Sequence, residues 1–396
     1  MKEKFSLMRK TSLWYRLGEV RRMPSRNVPN RSTPFAYLDW YRLRRNLERM
    51  QSLADTHRVA LRPHIKTHKS VPIAREQLNL GAVGVTASKP SEAASFVRAG
   101  VPSLLLAFPV VDPRKIRGLL ELAADHGTAM TFILDSEEGA DALSGAARHA
   151  GKQIDVHIKI DVGLGRVGVS PRGPELIRLA EYTAREARLR LTGLISHAGH
   201  GYAATRPAML AAIAREERHL MLEARERLAP IESNLRLTVG STPTVLAAEN
   251  FTGIDEIRPG NYALLDLTAE RLGVATEDDI ALGVVATVIS KGSQNYIIDA
   301  GSKALTSDLG PHSSGGLSGF GRVLLLEDQV SNLRLNVSRL SEEHGFVPRE
   351  GTDLPIGTRL LILPNHSCPV VNLYDRLVVG DDPATDVEVS ARGAVD

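Results

Sequence analysis

Two histidines and two lysines lie within six residues of the segment RPHIKTHK, residues 62–69. The segment follows a short apolar run, so it stands where a strand gives way to a loop. In the alternation of a β-strand, His64 and Lys66 point to one side of the chain and Ile65 points to the other. Lys66 is therefore the better placed of the two lysines to enter a site at the end of that strand.

The surroundings of this lysine would change its chemistry. An amine that is held among cations and away from water loses proton affinity, and the neutral amine is the form that condenses with an aldehyde to give a Schiff base. We expect His68 and Lys69 to supply the positive charge. The same residues also fit a general anion patch, or lysines that extend into solvent, so the segment alone leaves both interpretations open.

A second candidate segment, KIDVGLGRVGV at residues 159–169, places one arginine among three glycines. Gly163, Gly165 and Gly168 allow a tight turn, and Arg166 presents a permanently charged fork. Such a fork could hold a phenolate or a carboxylate oxygen. The alternative is an ordinary strand-to-helix turn with a surface arginine.

Two later segments offer small residues and free amides to an anion. VGSTPT (239–244) precedes a helix that starts near Pro243, and RPGNY (258–262) ends the next strand. An anion at the first segment would meet the positive end of that helix, although GST is also an ordinary N-cap sequence. The candidate anion-binding residues are Gly240, Ser241, Thr242, Gly260, Asn261 and Tyr262.

The segment ISHAGHGY, residues 195–202, adds His197, His200 and Tyr202. These side chains could touch or orient a planar ring, or act as acid and base. We expect one of the three to be only structural.

His366 and Cys368, in LPNHSCP (363–369), have the spacing of a metal pair. On an extended segment both side chains project to one side and can share one ion. Cys368 is the only cysteine of the chain, so a site with several thiolates is excluded. A metal here would occupy an open site of the catalytic type, and thiolate plus imidazole favours zinc. The alternative is a small buried Cys368 and a His366 that caps a turn.

Strand-like and helix-like stretches alternate along the chain and could position these segments. The alternation predicts an α/β fold, a (β/α)₈ TIM barrel over residues 34–272. Active sites of such barrels lie at the carboxyl ends of the strands, where the candidates before residue 263 stand. The eight strand-like runs are VALRPHI, AVGVT, SLLLAF, TAMTFIL, IDVHIKI, RLTGLIS, LRLTVG and EIRPGNY.

Closely spaced strands follow, from ALGVVATVIS to VEVSARG. They predict a second, mostly antiparallel β domain over residues 273–396, which carries the metal pair. Residues 1–33 are too irregular to place, and we expect an N-terminal arm that could pack on the β domain.

Composition narrows the class of protein. The 396 residues carry a net charge of +3 and 5% aromatic residues, unlike the basic and aromatic surface of a nucleic-acid binder. No apolar run approaches the roughly 20 residues needed to cross a bilayer, and charges interrupt the basic N-terminus too often for a signal peptide. We expect a cytoplasmic protein with a small-molecule ligand and with no nucleic-acid or membrane partner.

Taken together and in order, the segments resemble the D-threonine aldolase and D-serine dehydratase group, whose members are fold-type III pyridoxal-phosphate enzymes related to alanine racemase. The matching strings run from about residue 33 to the C-terminal SARG. They are RPHIKTHK, KIDVGLGRVGV, GSTPT, RPGNY, DAGSKAL, SEEHG and NHSCP. The resemblance implies pyridoxal 5'-phosphate and a divalent metal as cofactors, with zinc first and Mn²⁺ or Mg²⁺ as alternatives.

The resemblance also implies roles for single residues. Lys66 would be the Schiff-base lysine, and Arg166 would lie beside the phenolic oxygen of the cofactor. The residues of GST and GNY would surround its phosphate, and His366 and Cys368 would bind the metal. Racemases of the wider fold use a tyrosine from a second subunit and no metal; DAGSKAL stands at about that place here, which disfavours racemisation. A homodimer is expected because related folds complete their sites across an interface.

The expected activity is a lyase reaction on D-3-hydroxy amino acids. Removal of the α-proton by Lys66 and metal-assisted loss of the hydroxyl would give a D-serine dehydratase-like elimination to a 2-oxo acid and ammonia. Deprotonation of the hydroxyl would instead break the Cα–Cβ bond, as in D-threonine aldolase, giving glycine and an aldehyde. Within this group Cys368 as second ligand favours elimination, and His197 stands where some aldolases have a tyrosine. An alternative of another class is a non-catalytic protein that binds the cofactor or an amino acid.

Overall fold

Eight short parallel strands form a curled, barrel-like sheet, which confirms the predicted fold class. The computed structural model describes residues 25–311, 315–326 and 334–396. One strand, β1 (Phe35–Leu38), precedes the barrel. The barrel strands are β2 (Ala60–Leu61), β3 (Val85–Ala87), β4 (Ser103–Leu106), β5 (Ala129–Leu134), β6 (Ile154–Lys159), β7 (Leu189–Ile195), β8 (Arg236–Val239) and β9 (Glu256–Ile257).

The order of the strands closes the sheet on itself. The hydrogen-bonded path runs β2-β9-β8-β7-β6-β5-β4-β3, with every pair parallel. At the seam, the amide of Val83 donates to the carbonyl of Leu61 at 2.9 Å, and the amide of Thr86 donates to that of Pro63 at 2.8 Å. The carboxyl ends of all eight strands therefore meet at one rim.

Helices connect the strands and cover the outside of the sheet. They are α1 (Trp40–His57), α2 (Val71–Asn79), α3 (Pro90–Arg98), α4 (Pro113–His126), α5 (Glu137–His149), α6 (Pro174–Arg185), α7 (Pro207–Leu228) and α8 (Thr242–Ala247). α4 shows why these residues form helices: the Asp112 side chain caps its N-terminus, proline occupies its first turn, and Gly127 ends it in a left-handed conformation with φ 68°. Its buried face is Ile116, Leu119, Leu120 and Ala123, at helical spacing.

The barrel interior combines an apolar layer with a polar one. A small apolar cluster, separate from the main core, consists of Leu105 of β4, Ile133 of β5 and Ile195 of β7. These side chains point to the inner face of the sheet, opposite to their neighbours in the strand. Elsewhere in the interior, the Arg62 guanidinium donates to the Glu256 carboxylate at 2.7 Å. Buried charges of both signs are thus paired inside the barrel.

The second part of the chain is an antiparallel sheet, as predicted. Its hydrogen-bonded order is β13-β12-β16-β10-β11-β15-β14, and β1 pairs with β10, so β1 belongs to this sheet although it precedes the barrel. Its strands are β10 (Leu282–Lys291), β11 (Asn295–Ile298), β12 (Arg322–Leu325), β13 (Leu335–Asn336), β14 (Arg339–Leu340), β15 (Gly345–Pro348) and β16 (Arg359–Leu363). A two-stranded sheet of β17 (Arg376–Leu377) and β18 (Val387–Glu388) follows.

The described residues after the barrel strands include the short helices α9 (Leu267–Arg271), α10 (Ser302–Leu305) and α11 (Ser367–Val371). α9 hydrogen-bonds to the end of β16: the Leu267 amide donates to the Pro364 carbonyl at 3.1 Å, and the Thr268 hydroxyl donates to the Asn365 carbonyl at 2.7 Å. These contacts hold α11 against the rim of the barrel.

Most of the predicted N-terminal arm, residues 1–24, lies outside the described residues. In the described part, the Arg26 guanidinium donates to the Ile280 carbonyl at 2.8 Å, and the Arg31 guanidinium pairs with Asp386 at 2.7 Å. A division of the chain into units at residues 33 and 272 stays a prediction. No helix among the described residues is both long and apolar enough to span a membrane.

Candidate active site

One cavity of about 260 Å³ opens at the carboxyl rim of the barrel, between the barrel loops and α11. Residues from both parts of the chain line it, so the segments singled out in the sequence converge here. The lining residues are His64, Lys66, Thr67, Arg166, His197, Tyr202, Ser241, Thr242, Arg258, Gly260, Asn261, Pro311, His366 and Cys368.

Lys66 reaches the cavity from a 3-10 turn at Ile65–Thr67, not from an extended strand. His64 and Lys66 both line the cavity and Ile65 is fully buried, as expected, but the turn produces this arrangement. The Lys66 amide donates to Nδ1 of His64 at 3.5 Å, which leaves Nε2–H of His64 to donate to the Ser88 hydroxyl at 3.3 Å. The imidazole thereby holds the start of the turn.

The environment of Lys66 lowers the pKa of its amine. Burial lowers the pKa of Lys66; the charge of Cys368 opposes this change, and the nearby Arg166 and Arg258 add to it. The prediction that His68 and Lys69 supply the positive charge was wrong. Burial lowers the pKa of His68 to about 4, so this ring is neutral.

Lys69 turns away from the cavity. Its ammonium pairs with the fully buried Glu92 at 3.1 Å and donates to the Ala394 carbonyl at 2.9 Å. The other oxygen of Glu92 accepts from the Ser88 amide at 2.6 Å. Lys69 therefore anchors the end of the Lys66 turn instead of tuning the amine.

The glycine-rich turn after β6 is built around Asp161. Its Oδ1 accepts from the amides of Gly163, Leu164 and Gly165 at 3.0, 3.0 and 3.1 Å. Arg166 follows directly and lines the cavity from an exposed position. The tight turn therefore fixes the backbone that presents the guanidinium.

The two anion-binding candidates after β8 and β9 pack against each other. The Thr242 hydroxyl accepts from the amides of Gly260 and Tyr262, both at 3.2 Å. Gly260 permits a close approach, because a Cβ there would lie 2.9 Å from the His64 carbonyl oxygen. Ser241, Thr242, Gly260 and Asn261 line the cavity.

Two members of this set do not line the cavity. The fully buried Tyr262 directs its hydroxyl away from it, to Nε2 of Gln77 at 3.0 Å. Gly240 lies behind the cavity, with φ 116°, and its carbonyl oxygen is 3.1 Å from Nδ1 of His197.

The segment ISHAGHGY contributes two of its three candidates to the cavity. His197 lines it, and burial, with the charges of Lys66 and Lys159 next, lowers the pKa of His197 well below its usual range. Tyr202 also lines it, and burial raises the pKa of Tyr202 well above its usual range, so the phenol keeps its proton. His200 does not line the cavity and packs beside Gly163.

The proposed metal pair faces the cavity, although the segment is not extended. His366 is the N-cap residue of α11 and Cys368 lies in its first turn. Burial opposes ionisation of both groups, yet their mutual attraction prevails: the pKa of His366 is raised to about 10, with help from Asp308, and the pKa of the Cys368 thiol is lowered. A thiolate beside an imidazole fits a borderline-soft divalent metal. Across the described residues, no group of three or more His, Cys, Asp or Glu side chains converges on one point.

Asp266 joins the two sides of the cavity. One oxygen of this fully buried carboxylate accepts from Nδ2 of Asn261 at 2.7 Å and from the amide of Ser367 at 3.0 Å. Ser367 stands between the two metal candidates, so the barrel loop and α11 share one acceptor.

Comparison with known proteins identifies the family of the chain. The alanine racemase N-terminal domain model matches residues 38–267, which is more than half of the chain, and the serine dehydratase domain model matches residues 281–380. The chain belongs to the alanine racemase N-terminal domain family. The resemblance seen in the motifs is thereby confirmed.

Relatives within the family are lyases by name. The chain is 36% identical over 352 residues to D-threo-3-hydroxyaspartate dehydratase of Delftia sp., covering 85% of this chain and 90% of the relative. It is 33% identical to D-threonine aldolase of Arthrobacter sp., covering 91% and 93%. A solved cysteine-to-alanine variant of the dehydratase, in a metal-free form, superposes with a TM-score of 0.82 at 34% identity, covering 91% and 97%.

Sequence reasoning missed three residues that line the cavity: Thr67, Arg258 and Pro311. Arg258 is buried under the cavity, where its Nε donates to the Thr238 hydroxyl at 2.7 Å. Burial lowers the pKa of Arg258 to about 10. A signal existed, because alternation along RPGNY puts Arg258 on the same side as Gly260.

Proposed function

We propose that the protein is a pyridoxal-phosphate- and divalent-metal-dependent lyase that eliminates water from D-3-hydroxy amino acids. This proposal rests on one observation: Lys66 from the barrel lines the same cavity as His366 and Cys368 from α11. The dehydratase and aldolase names of the relatives support the same class of reaction.

The residues present fit pyridoxal phosphate. Lys66, with its lowered pKa, is suited to bond to the aldehyde carbon, and Arg166 offers a positive charge to the phenolic oxygen. Ser241, Thr242, Gly260 and Asn261 offer hydroxyls and amides to the phosphate; Gly240 and Tyr262 would act only by holding those loops. When bound, the cofactor supplies an electron sink for the bond that breaks at the substrate's Cα.

His366 and Cys368 would hold the metal, which we propose to be zinc, with Mn²⁺ or Mg²⁺ as alternatives. An ion held by two protein ligands keeps positions open for water and substrate, and it supplies Lewis acidity at the substrate's hydroxyl. A cytoplasmic location fits this site, since a reducing compartment keeps the thiolate free. We further propose a homodimer.

Different side chains around the cavity would carry out the separate proton transfers. The neutral Nζ of Lys66 accepts the proton from the substrate's α-carbon. Tyr202 holds its phenolic proton at neutral pH and can donate it to the departing oxygen. His197 donates from Nδ1 to the Gly240 carbonyl, which fixes its ring and leaves Nε2 as an acceptor. His200 is assigned no contact with substrate, because it does not line the cavity.

Retro-aldol cleavage is the second candidate. The same residues serve both reactions, and the 33% identity to D-threonine aldolase favours it as the alternative. Cys368 as the second metal ligand supports elimination.

Product analysis separates the two. The purified protein, loaded with pyridoxal phosphate and Zn²⁺, is incubated with D-serine, D-threonine and D-threo-3-hydroxyaspartate, with Lys66→Ala as control. The proposal expects 2-oxo acid and ammonia. Glycine and an aldehyde would establish the aldolase instead, and no turnover of any of these substrates would refute the proposed class.

A further inference from the structure

A carboxylate that the sequence motifs do not include lies against one of the metal candidates. Oδ2 of Asp308 is 2.8 Å from Nδ1 of His366, and both side chains are largely shielded, with 33% and 16% of their areas exposed. Asp308 comes from the loop after α10, 58 residues before its partner. The contact therefore joins two separate segments at the edge of the cavity.

The carboxylate is itself held in place. Its Oδ1 accepts from the Gly310 amide at 2.8 Å, and the Asp308 amide donates to the Thr306 hydroxyl at 3.3 Å. Among the residues that the structure describes, no Lys or Arg forms an ion pair with Asp308. The carboxylate therefore pairs with the imidazole and not with a surface cation.

The contact decides which imidazole nitrogen can serve as a ligand. A carboxylate accepts only, so Nδ1 keeps its hydrogen, and Nε2 is the nitrogen that can give up its proton to bind a metal. Cys368 interacts with the same imidazole and lines the same cavity. Carboxylates that hold a histidine ligand in this way fix its tautomer and orientation and raise its basicity.

We infer that Asp308 is a positioning residue that presents Nε2 of His366 to the metal. The inference rests on the proposed function, because it assumes that His366 and Cys368 bind the ion. Asp308 does not touch the ion; it acts through the imidazole.

Metal affinity of the protein tests this inference without reference to turnover. Zn²⁺ and Mn²⁺ are titrated, against a competing chromophoric chelator, into full-length metal-stripped protein. We expect Asp308→Ala to weaken both by about 10- to 100-fold, and Asp308→Asn, which keeps an acceptor oxygen without the charge, to weaken them less. When the variants are loaded with Co²⁺, their ligand-field absorption bands should differ from those of the Co²⁺-loaded wild type.

A matched control lies directly after β11, in the antiparallel sheet. Asp299 is also half-buried, and its carboxylate accepts from the Thr33 hydroxyl and the Thr287 amide, away from the cavity. Asp299→Ala should lower the melting temperature and leave the metal affinity unchanged.

The outcomes separate this inference from the proposed function. If Asp308→Ala and Asp308→Asn bind both ions as tightly as the wild type, the positioning role is wrong while the metal site stands. If the wild type binds neither ion, the metal part of the proposed function fails and the inference fails with it.

Discussion

Sγ of Cys368 lies 3.3 Å from the Thr67 hydroxyl, the residue that follows Lys66. This contact joins the helix that carries the metal candidates to the turn that carries the candidate cofactor lysine. Because α11 is attached to the antiparallel sheet and the turn belongs to the barrel, neither part of the chain contains the whole site.

Replacement of the thiol should separate the two proposed cofactors. Cys368→Ala removes one of two protein ligands, so we expect Zn²⁺ affinity to fall by at least about 100-fold, more than the loss of an outer carboxylate produces. The absorbance band near about 420 nm from bound pyridoxal phosphate should persist, because Lys66 is untouched. Titration and absorbance spectra of the same samples check both; a variant that keeps wild-type zinc affinity would remove Cys368 from the metal site.

A methyl group at position 260 should disturb the part of the cavity wall where Gly260 contacts His64. A Cβ there would lie 2.9 Å from the His64 carbonyl oxygen and 3.1 Å from His64 Cβ. We expect Gly260→Ala to cost about 1–3 kcal/mol in the free energy of unfolding and to weaken pyridoxal phosphate binding. Gly118→Ala in α4, where a Cβ meets no atom within 4 Å, is the control and should be neutral or stabilising. Equal urea midpoints for the two variants would contradict this role of Gly260.

Loss of the charge at Asp266 should weaken both binding sites at once. Asn at this position would place an amide group against the donors from Asn261 and Ser367, which costs about 1–3 kcal/mol for groups left unpaired. We expect Asp266→Asn to lower the affinities for pyridoxal phosphate and Zn²⁺ together. Asp279→Asn is the control, since that buried carboxylate pairs with Arg49 at 2.8 Å, away from the cavity. A change confined to one affinity would show that Asp266 does not couple the two sides.

The barrel interior should make the fold sensitive to acid. Burial, followed by the charges of Arg62 and Arg258, lowers the pKa of His157 from 6.5 to about 3. The unfolded chain therefore binds a proton that the folded state excludes, and the free energy of unfolding falls as the pH drops from 6.5 toward 3. For one such group the loss is on the order of 1–2 kcal/mol by pH 5.

The variant His157→Gln removes this contribution. Urea unfolding at neutral pH and at about pH 5 should give a smaller difference for the variant than for the wild type. Buried His64, His68 and His197, whose pKa values burial also lowers, keep part of the acid sensitivity in both proteins. Identical differences for the two proteins would mean that folding does not lower the pKa of His157.

The fold and most of the cavity could be predicted because the relevant signals are local. Alternating apolar runs predicted the eight barrel strands, and placing each motif at a strand end brought Lys66, Arg166, Thr242 and Asn261 to one rim. The single cysteine, Cys368, predicted a metal pair with His366 in the segment that forms α11.

The remaining features depend on geometry that spacing does not encode. Strand alternation cannot reveal that Ile65–Thr67 form a 3-10 turn, or that Lys69 turns toward Glu92. Tyr262 follows Asn261 directly, yet its side chain leaves the cavity to reach Gln77. Asp308 stands in no motif, and its contact with a residue 58 positions later exists only in the folded chain.

The central claim, that Lys66 bonds covalently to pyridoxal phosphate, is tested most directly by reduction and mapping. The loaded protein is treated with borohydride, digested and analysed by mass spectrometry, with Lys66→Ala in parallel. We expect a phosphopyridoxyl group on the peptide that contains Lys66 and none in the variant. A protein that stays unlabelled, or that carries the label on another lysine such as Lys159, would contradict it.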